Sequence, residues 1–296
     1  METSICIVTF NASEYLRECL RSLAQYPPGG AYEIIVVDNA SNDDTLAMLA
    51  NEFPQVRIIQ NSQNEGYTKP LNQALKAASG AFVAPLNPDT LLTEDLFNPL
   101  LAFMTTHPQA GIVTPKVLNQ DGTLQLQCRR GEARPLEVLG YFLHLDRLFP
   151  RNKKLGGYLM RWLPENEIAE VPAVSGSCML IRREVIKQVG HFDEQFYAFQ
   201  EDADLCFRAR QAGWKVFYVP TSAVVHFGGE GGSAVRPYFG VYHWHRSYYL
   251  YFEKHLAKDY CFLFNWLYYG LMVIKFCWAM LVTFFRKKKM VGTPKT

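Results

Sequence analysis

Three carboxylates crowd into four positions of this chain, directly behind an aromatic segment. The segment runs from Phe196 to Arg208, and its acids are Glu201, Asp202 and Asp204. Carboxylates this close raise one another's pKa, and neighbouring aromatic rings desolvate them, which tunes a general base toward neutral pH. A helix N-terminus also favours acidic residues, because they complement the helix dipole. The segment alone therefore leaves both a catalytic base and a helix cap open.

Other polar residues stand where predicted strands end. Asp38 follows the apolar run 33–37, Asp89 follows the run 80–86 and a proline, and His226 ends a later apolar run. Ligands of open α/β sheets bind at the carboxyl ends of the strands. A carboxylate there binds a nucleotide or a divalent cation, or it caps the next helix. A lone histidine at such a position is more often structural than a ligand.

Short apolar runs alternate with amphipathic stretches along the chain. The strands and helices that this alternation predicts must position the polar residues named above. It predicts βαβ units and an α/β fold with a mostly parallel central sheet flanked by helices. Strands are expected at 4–10, 33–37, 56–59, 80–86, 110–114, 171–181, 214–219 and 223–226, and helices at 14–25, 45–53, 66–78, 94–106 and 183–189. Residues 119–170 have no clean period and are expected to form an insertion or mobile loop system.

The C-terminal part is aromatic and apolar. A helix is predicted over 242–252, and the stretch 261–285 is long enough to span a bilayer. Lys275 near its middle is costly inside a membrane, so an interfacial helix with aromatic residues at head-group level is the alternative, as is a helix packed on the main domain. The basic tail 286–289 suits anionic lipid head groups. We expect residues 238–296 to associate with a membrane.

Composition narrows the class. Apolar residues are 49% and charged residues 20% of the chain, which indicates a globular protein, and a net charge of +2 does not favour nucleic acid as a partner. The seven cysteines show no CxxC pair or zinc spacing, which predicts reduced, buried thiols rather than disulfides or a zinc site. The chain enters a strand at Ser4 with no signal peptide before it, so a cytoplasmic location is expected.

The motifs together are more specific than each alone. They are Val8-Thr9, Val37-Asp-Asn-Ala-Ser41, Asn64-Glu-Gly-Tyr67, Asn87-Pro-Asp89, Ser175-Gly-Ser177, Glu201-Asp-Ala-Asp-Leu205 and His226, in this order. The succession resembles the family-2 inverting glycosyltransferases, most closely their rhamnosyltransferase-like branch, over roughly residues 3–255. The resemblance implies a GT-A (Rossmann-like) catalytic domain at 1–237, with a nucleotide-binding half at 1–90 and an acceptor half at 91–237.

The resemblance also implies roles for the acids and the histidine. Asp202 matches the catalytic base, and Glu201 is expected to orient it or an acceptor hydroxyl. Asp204 is then left as the helix cap. Asp89 resembles the last residue of the metal-binding DxD motif, and His226 matches a position that completes the shell of a Mg²⁺ or Mn²⁺ ion.

The nucleotide-sugar site is implied in the same way. Its residues would be Thr9, Asn11, Asp38, Asn64, Gly66, Lys69, Asn87, Ser175, Gly176 and Arg246. Asp38 would contact the base of the nucleotide, and Lys69 or Arg246 would help neutralise the leaving diphosphate. Asn87 departs from the family pattern, because it replaces the first Asp of DxD and removes a charge.

The resemblance makes dTDP-β-L-rhamnose the first choice of donor, with UDP-hexoses or UDP-N-acetylhexosamines as the alternative. The acceptor would be a polyprenyl-diphosphate-linked glycan of O-antigen or cell-wall polysaccharide assembly, at the cytoplasmic face of the membrane. The insertion and the glycine-rich loop 228–232 are expected to close over the donor. A nucleotidyltransferase is disfavoured, because residues 9–13 lack a glycine- and basic-rich phosphate loop. A non-catalytic membrane scaffold stays open.

Overall fold

The structure is a computed structural model that describes residues 2–228 and 237–285. The glycine-rich loop beyond Gly228 and the basic tail at 286–289, both singled out in the sequence, lie outside the described residues. All the predicted strands and helices fall within the described ranges. The prediction of one interrupted strand at 171–181 is wrong, because Ala173–Val174 and Leu180–Arg182 are separate strands in different sheets.

The first part of the chain alternates strands and helices as predicted. Its elements are β1 (Thr3–Thr9), α1 (Ser13–Gln25), β2 (Tyr32–Asp38), α2 (Thr45–Glu52), β3 (Arg57–Gln60), α3 (Thr68–Ala77), β4 (Phe82–Leu86), β5 (Thr90–Leu92), α4 (Phe97–Thr106) and β6 (Ala110–Leu118). Helix α1 shows why: Leu16, Leu20 and Leu23 recur on one face and are all buried against the sheet.

The second part is less regular. Its elements are β7 (Arg129–Arg130), α5 (Pro135–Phe142), α6 (Leu145–Leu148), β8 (Ala169–Glu170), β9 (Ala173–Val174), β10 (Leu180–Arg182), α7 (Arg183–Val189), α8 (Glu201–Gln211), β11 (Lys215–His226), α9 (Pro237–Tyr251), a π-helical turn (Phe252–Leu256) and α10 (Phe262–Phe285). The stretch 119–170, predicted to be irregular, therefore contains two short helices and two short strands.

The central sheet has the order β3-β2-β1-β4-β10-β6-β11-β5, and β8 pairs with β11. Strands β3, β2, β1 and β4 are mutually parallel, as are β6 and β11, whereas β10 and β5 run antiparallel to their neighbours. The expected α/β fold with a helix-flanked central sheet is confirmed. The two predicted strands at 214–219 and 223–226 are wrong as separate elements, because they form one strand whose register shifts between Tyr218 and Ala223.

The parallel half of the sheet places polar side chains at one edge. All seven residues of β1 and the last four of β2 are buried, as expected for strands covered on both faces. Thr9 and Asp38 are register partners at the carboxyl ends of these two strands. The buried apolar strands thus place Thr9 and Asp38 side by side at the edge of the sheet where the candidate site begins.

The cysteines differ from the prediction in one respect. All seven are free thiols, and five of them are buried. Cys261 and Cys277 are exposed instead, because both lie at or in α10, where many apolar side chains face outward.

The C-terminal helices begin within the main core. Tyr248 and Tyr251 of α9 are buried, as are Phe252 and Leu256 of the π-helical turn. In the described part of the chain, α10 is long and apolar enough to cross a membrane, by length and composition.

Candidate active site

The loop between β9 and β10 joins two polar clusters. The backbone N–H of Asn87 donates to the carbonyl of Ser177 at 2.9 Å, and the backbone N–H of Gly176 donates to Oδ2 of Asp202 at 2.9 Å. Residues 175–177 are therefore hydrogen-bonded both to the expected metal motif and to the expected base.

The first cluster contains Asn87, Asp89 and His226. Antiparallel pairing of β5 with β11 sets Thr90 opposite His226, which carries the histidine to the end of β4. Its Nε2 lies 3.2 Å from Oδ1 of Asp89 and 3.1 Å from Nδ2 of Asn87. The predicted metal residues are thus side-chain neighbours.

Gln125 holds the histidine from the other side. Its Oε1 lies 2.9 Å from Nδ1 of His226, and its Nε2 donates to the backbone carbonyl of the same residue at 2.6 Å. This pairing makes Nδ1 the donor to Gln125 and turns Nε2 toward Asp89 and Asn87. Sequence reasoning missed Gln125, because it lies in the stretch without periodicity.

The residues of this cluster fit a divalent cation. An unprotonated Nε2 and the carboxylate oxygen of Asp89 are both electron donors, and at 3.2 Å they repel unless a proton or cation bridges them. Imidazole nitrogen and carboxylate oxygen suit Mn²⁺, and a Mg²⁺ site typically combines one or two carboxylates with substrate phosphates. In the described residues no group of three or more His, Cys, Asp or Glu side chains could hold a metal. An ion here would therefore need oxygens from Asn87 or from a bound diphosphate.

The nucleotide end of the sheet carries buried polar atoms without partners. The hydroxyl of Thr9 and Oδ1 of Asp38 have no hydrogen-bond partner among the described residues, although both side chains are fully buried. The other oxygen of Asp38 accepts from the N–H of Ser41 at 3.2 Å. Buried polar atoms are normally satisfied, and these two lie at the end of the sheet where the nucleotide is predicted to bind.

Asn11 ties the two loops of this end together. It has a positive φ of 51°, its N–H donates to the hydroxyl of Ser41, and its Oδ1 accepts from the N–H of Asn42. It therefore joins the loop after β1 to the loop after β2, and its predicted role in nucleotide binding stays a prediction.

Asn64 and Gly66 organise the next loop. Oδ1 of Asn64 accepts from Nδ2 of Asn39 and from the hydroxyl of Tyr197, both at 3.0 Å. Gly66 has φ +88°, and a Cβ there would lie 2.7 Å from the carbonyl oxygen of Tyr197. Only glycine fits this position. The loop thereby connects the end of β2 to the segment before α8.

The two cations expected at the diphosphate have other partners. Nζ of Lys69 lies 2.5 Å from Glu65, one turn back along the chain. Arg246 on α9 donates to the carbonyl of Gln195 at 2.6 Å. Their predicted role stays a prediction, and each would have to release this contact to reach a phosphate.

The second cluster centres on Asp202, which is buried. Its Oδ1 lies 2.6 Å from Nη2 of Arg130, and the N–H of Ala203 donates to the same oxygen at 2.7 Å. Arg130 is also buried and donates to the carbonyl of Val174 at 3.1 Å. The short β7–β9 ladder pairs Arg130 with Ala173. It therefore places the guanidinium of Arg130 beside the expected base.

Glu201 is in a different electrostatic state. Burial, followed by the negative charge of Asp202, raises the pKa of Glu201 to about 8. Its Oε2 has no hydrogen-bond partner among the described residues. At neutral pH this side chain is therefore a protonated acid that can donate a hydrogen bond, next to a carboxylate that can accept one.

Backbone strain stands directly before these two acids. Phe199 and Gln200 both have positive φ, at 68° and 62°. Non-glycine residues in this region cost free energy and cluster at functional sites. The strained turn starts α8 so that Glu201 and Asp202 point inward from its first turn.

Asp204 has a structural role, but the predicted helix cap is wrong. Helix α8 has no side-chain capping hydrogen bond. Instead, Asp204 is fully buried and bonds to His255, Lys254 and Arg208 at 2.7–2.8 Å. Burial alone raises its pKa, but the His255 hydrogen bond and the charges of Arg208 and Lys254 lower it to about 2. Asp204 thus fastens α8 to the chain beyond α9.

Arg130 is the second residue that sequence reasoning missed. It belongs to the unperiodic stretch, and nothing beside it in the chain signals a partner at Asp202. A two-residue strand leaves too short a pattern to predict which arginine turns inward.

Comparison with known proteins defines the class. The sequence model of the family described as Glycosyl transferase family 2 matches residues 4–190, so the chain belongs to this family and is a glycosyltransferase. An N-acetylglucosaminyl-diphospho-decaprenol L-rhamnosyltransferase of Mycobacterium tuberculosis is 30% identical over 233 residues, which cover 75% of each chain. The resemblance to the rhamnosyltransferase-like branch is therefore confirmed.

Solved structures agree on the fold. A structure of GalNAc-T7 with UDP, GalNAc and Mn²⁺ matches with a TM-score of 0.60 at 21% identity, over 86% of this chain and 48% of that one. This chain thus spans about half the length of that protein. The mannosyltransferase PcManGT from Pyrobaculum calidifontis, in complex with GDP-Man and Mn²⁺, matches with a TM-score of 0.57 at 17% identity, over 95% of this chain and 72% of that one. Both likenesses show the GT-A-like fold.

Proposed function

We propose that this protein transfers L-rhamnose from dTDP-β-L-rhamnose to a hydroxyl of a polyprenyl-diphosphate-linked glycan, with inversion at the anomeric carbon. The observation that carries the proposal is the junction at residues 175–177, which joins the Asp89–His226 cluster to the Asp202–Arg130 pair. The choice of sugar and acceptor rests on the mycobacterial rhamnosyltransferase, whose name specifies a decaprenol-linked substrate.

In this proposal Asp202 accepts the proton of the acceptor hydroxyl as the oxygen attacks the anomeric carbon. A positioned base of this kind contributes roughly 10²- to 10⁴-fold to the rate. Arg130 and the N–H of Gly176 hold the carboxylate from two sides and leave it one orientation. Glu201, protonated at neutral pH, donates a hydrogen bond to the sugar or the acceptor.

The donor would occupy the carboxyl ends of β1, β2 and β4. Thr9 and Asp38 offer buried polar atoms to the nucleoside, with Asn11 and the Asn64–Gly66 loop at the border. Asp89, His226 and Asn87 would hold Mg²⁺ or Mn²⁺. Such an ion supplies positive charge to the leaving diphosphate.

We assign donor binding to residues 1–90 and the acceptor side to residues 91–237. Ser175 and Gly176 then lie between donor sugar and acceptor. The apolar surface of α10 supports a place at the cytoplasmic face of a membrane, where a lipid-linked acceptor would be held.

A second candidate is transfer of an N-acetylhexosamine from a UDP-linked donor. It is favoured by a poly(ribitol-phosphate) β-N-acetylglucosaminyltransferase of Staphylococcus aureus, which is 32% identical over 111 residues, or 36% of this chain and 19% of that protein. The match is shorter than that to the rhamnosyltransferase, so rhamnose remains the first choice.

The test is a donor panel with Mn²⁺, read first by thermal shift and then by transfer to a polyprenyl-diphosphate-N-acetylglucosamine acceptor. A ligand at 100 times its Kd stabilises the fold by about 2.7 kcal/mol, so dTDP-rhamnose should raise the melting temperature more than UDP-N-acetylglucosamine. The reverse order would favour the second candidate. Binding of no donor and no transfer would instead favour the non-catalytic scaffold.

A further inference from the structure

Helix α10 has two faces of opposite character. The face toward the protein carries both of its strongly polar residues: Nδ2 of Asn265 donates to the carbonyl of Ala257 at 2.8 Å, and Nζ of Lys275 lies 2.9 Å from Nε2 of His245. The opposite face exposes only apolar and small residues, and its large side chains are Leu263, Trp266, Leu267, Leu271, Ile274, Trp278, Leu281 and Phe284. The charge of Lys275, which would be costly inside a membrane, is therefore turned away from the exposed face.

More than half of α10 lies along the protein. Aromatic contacts between Tyr249 and Tyr269 at 5.3 Å, and between Tyr242 and Phe276 at 6.3 Å, show that α9 and α10 run antiparallel. Helix α9 is itself held to the catalytic domain, because Ser247 donates to the carbonyl of Ala198 at 2.8 Å.

This packing limits how far α10 can reach across a bilayer. Among the described residues, 277–285 extend beyond the contact at Phe276. At 1.5 Å per residue they rise about 14 Å, less than half of the roughly 30 Å of a hydrocarbon core. This packing favours a helix that lies on a membrane over one that crosses it.

The α5–α6 segment lies beside α10 and exposes further large apolar residues. Nζ of Lys275 stands 3.9 Å from the ring centre of Phe142, which places the end of α5 beside the middle of α10. Around Phe142 the segment exposes the large apolar residues Leu136, Leu139, Leu143, Leu148 and Phe149. The leucines of α5 follow the spacing of one helix face.

Positive charge borders these leucines. The exposed charged residues at 144–154 are Arg147, Arg151, Lys153 and Lys154. The one acid in this stretch, Asp146, is buried and bonds to Arg161 at 2.6 Å. Basic residues beside an apolar stripe attract anionic head groups.

We propose that the outer face of α10 and the exposed leucines of α5–α6 form one membrane face, which lies on an anionic bilayer without spanning it. A second copy of the chain is the less suitable occupant, because a two-fold interface would bring the same basic border together from both copies. If the proposed function is correct, this face holds the active site next to a lipid-linked acceptor. The binding itself requires no donor sugar, so it can be tested separately from catalysis.

The test is co-sedimentation of the full chain with vesicles of phosphatidylcholine alone or mixed equally with phosphatidylglycerol. We expect binding to the mixed vesicles, and a loss of about tenfold or more in affinity for each of Leu139→Glu and Leu143→Glu, since each removes a buried leucine from the lipid. Ile58→Glu, on exposed edge strand β3, is the matched control and should bind like the wild type. Wild-type binding by the double leucine variant would overturn the proposal, as would a stable dimer that Leu143→Glu dissociates.

A second measurement separates lying from spanning. In a Cys261→Ser, Cys277→Ser background only buried native thiols remain, so Thr296→Cys provides one reactive label at the C-terminus. In membrane vesicles with the catalytic domain outward, a membrane-impermeant maleimide should label this cysteine without detergent. Labelling only after detergent would mean that α10 crosses the bilayer, and the proposal would fail.

Discussion

Nη2 of Arg130 lies 2.6 Å from Oδ1 of Asp202, and both side chains are buried. A buried ion pair of this kind contributes little to net stability, but removing one partner leaves an uncompensated charge. Arg130 is therefore a positioning residue for the proposed base, and several expectations depend on this relationship.

The first prediction concerns Arg130. Arg130→Gln should lower kcat about 100-fold, because the carboxylate loses its orientation. The KM for the donor should change little, because the proposed base acts on the acceptor proton in the transition state and does not hold the donor. Arg130→Lys should restore part of the lost kcat.

Arg129→Gln is the matched control for this variant. Arg129 is the neighbouring buried arginine, but its guanidinium donates to the carbonyls of Leu163 and Pro164. Its loss should lower the free energy of unfolding while kcat of the folded enzyme stays close to the wild-type value. If Arg130→Gln behaves in the same way, the ion pair is merely structural.

The second prediction separates the two adjacent acids. With a pKa of about 8, Glu201 is protonated at pH 7, so Glu201→Gln should keep most of the activity at that pH. Any fall in wild-type activity above pH 8 that is caused by ionisation of Glu201 should be absent in this variant. Asp202→Asn should reduce kcat by roughly 10²- to 10⁴-fold at every pH. Steady-state rates between pH 6 and 9 provide the measurement. Equal losses in both variants would contradict this division.

The raised pKa of Glu201 has a consequence for stability. Its folded-state value of about 8 exceeds its ordinary value of 4.5, so its contribution is fully present below pH 4.5 and is lost as the pH rises through 8. Glu201→Gln cannot ionise and should therefore become increasingly stable relative to the wild type over this range. Melting temperatures between pH 5 and 9 would show the widening difference, and a constant difference would refute it.

The third prediction concerns the buried network of Asp204. Asp204→Asn should lower the free energy of unfolding by about 3–5 kcal/mol at pH 7, because the cationic partners are left without the opposite charge. The pKa is lowered from 3.8 to about 2, so the stabilisation is present above pH 3.8 and is lost as the pH falls through 2.

Urea unfolding at pH 7 and at pH 2 gives the two values. Asp193→Asn is a suitable comparison, because Asp193 bonds to the same Lys254 from a more exposed position, and its loss should cost less than about 1 kcal/mol. Equal losses in the two variants would mean that burial does not decide the strength of this network.

The fourth prediction addresses Gln125. Gln125→Leu keeps the side-chain size but frees the ring of His226, and it should weaken Mn²⁺ binding about 10- to 100-fold. The measurement is Mn²⁺ titration by electron paramagnetic resonance in the presence of a nucleoside diphosphate. Gln188→Leu is the control, since Gln188 bonds to Trp214 at the surface. Unchanged Mn²⁺ affinity in the Gln125 variant would mean that His226, or its orientation by Gln125, does not contribute to Mn²⁺ binding.

Local sequence patterns were enough to predict the parallel half of the sheet. Alternating strands and helices produce strong periodic patterns in the sequence. Parallel strands also bring Asp38 and Asp89 to the same edge of the sheet, whatever the exact strand boundaries are. The closely spaced Glu201 and Asp202 were equally visible, because their chemistry depends on neighbours in the chain.

The groups that face these residues could not be predicted from local patterns and are seen only in the folded chain. Arg130 and Gln125 come from a stretch without a period, and they reach Asp202 and His226 through short elements whose pairing no local pattern specifies. Local patterns also did not predict that Asp204 binds Lys254 and His255, or that Lys275 contacts His245 of α9. Contacts between distant positions depend on packing, and local sequence patterns do not record them.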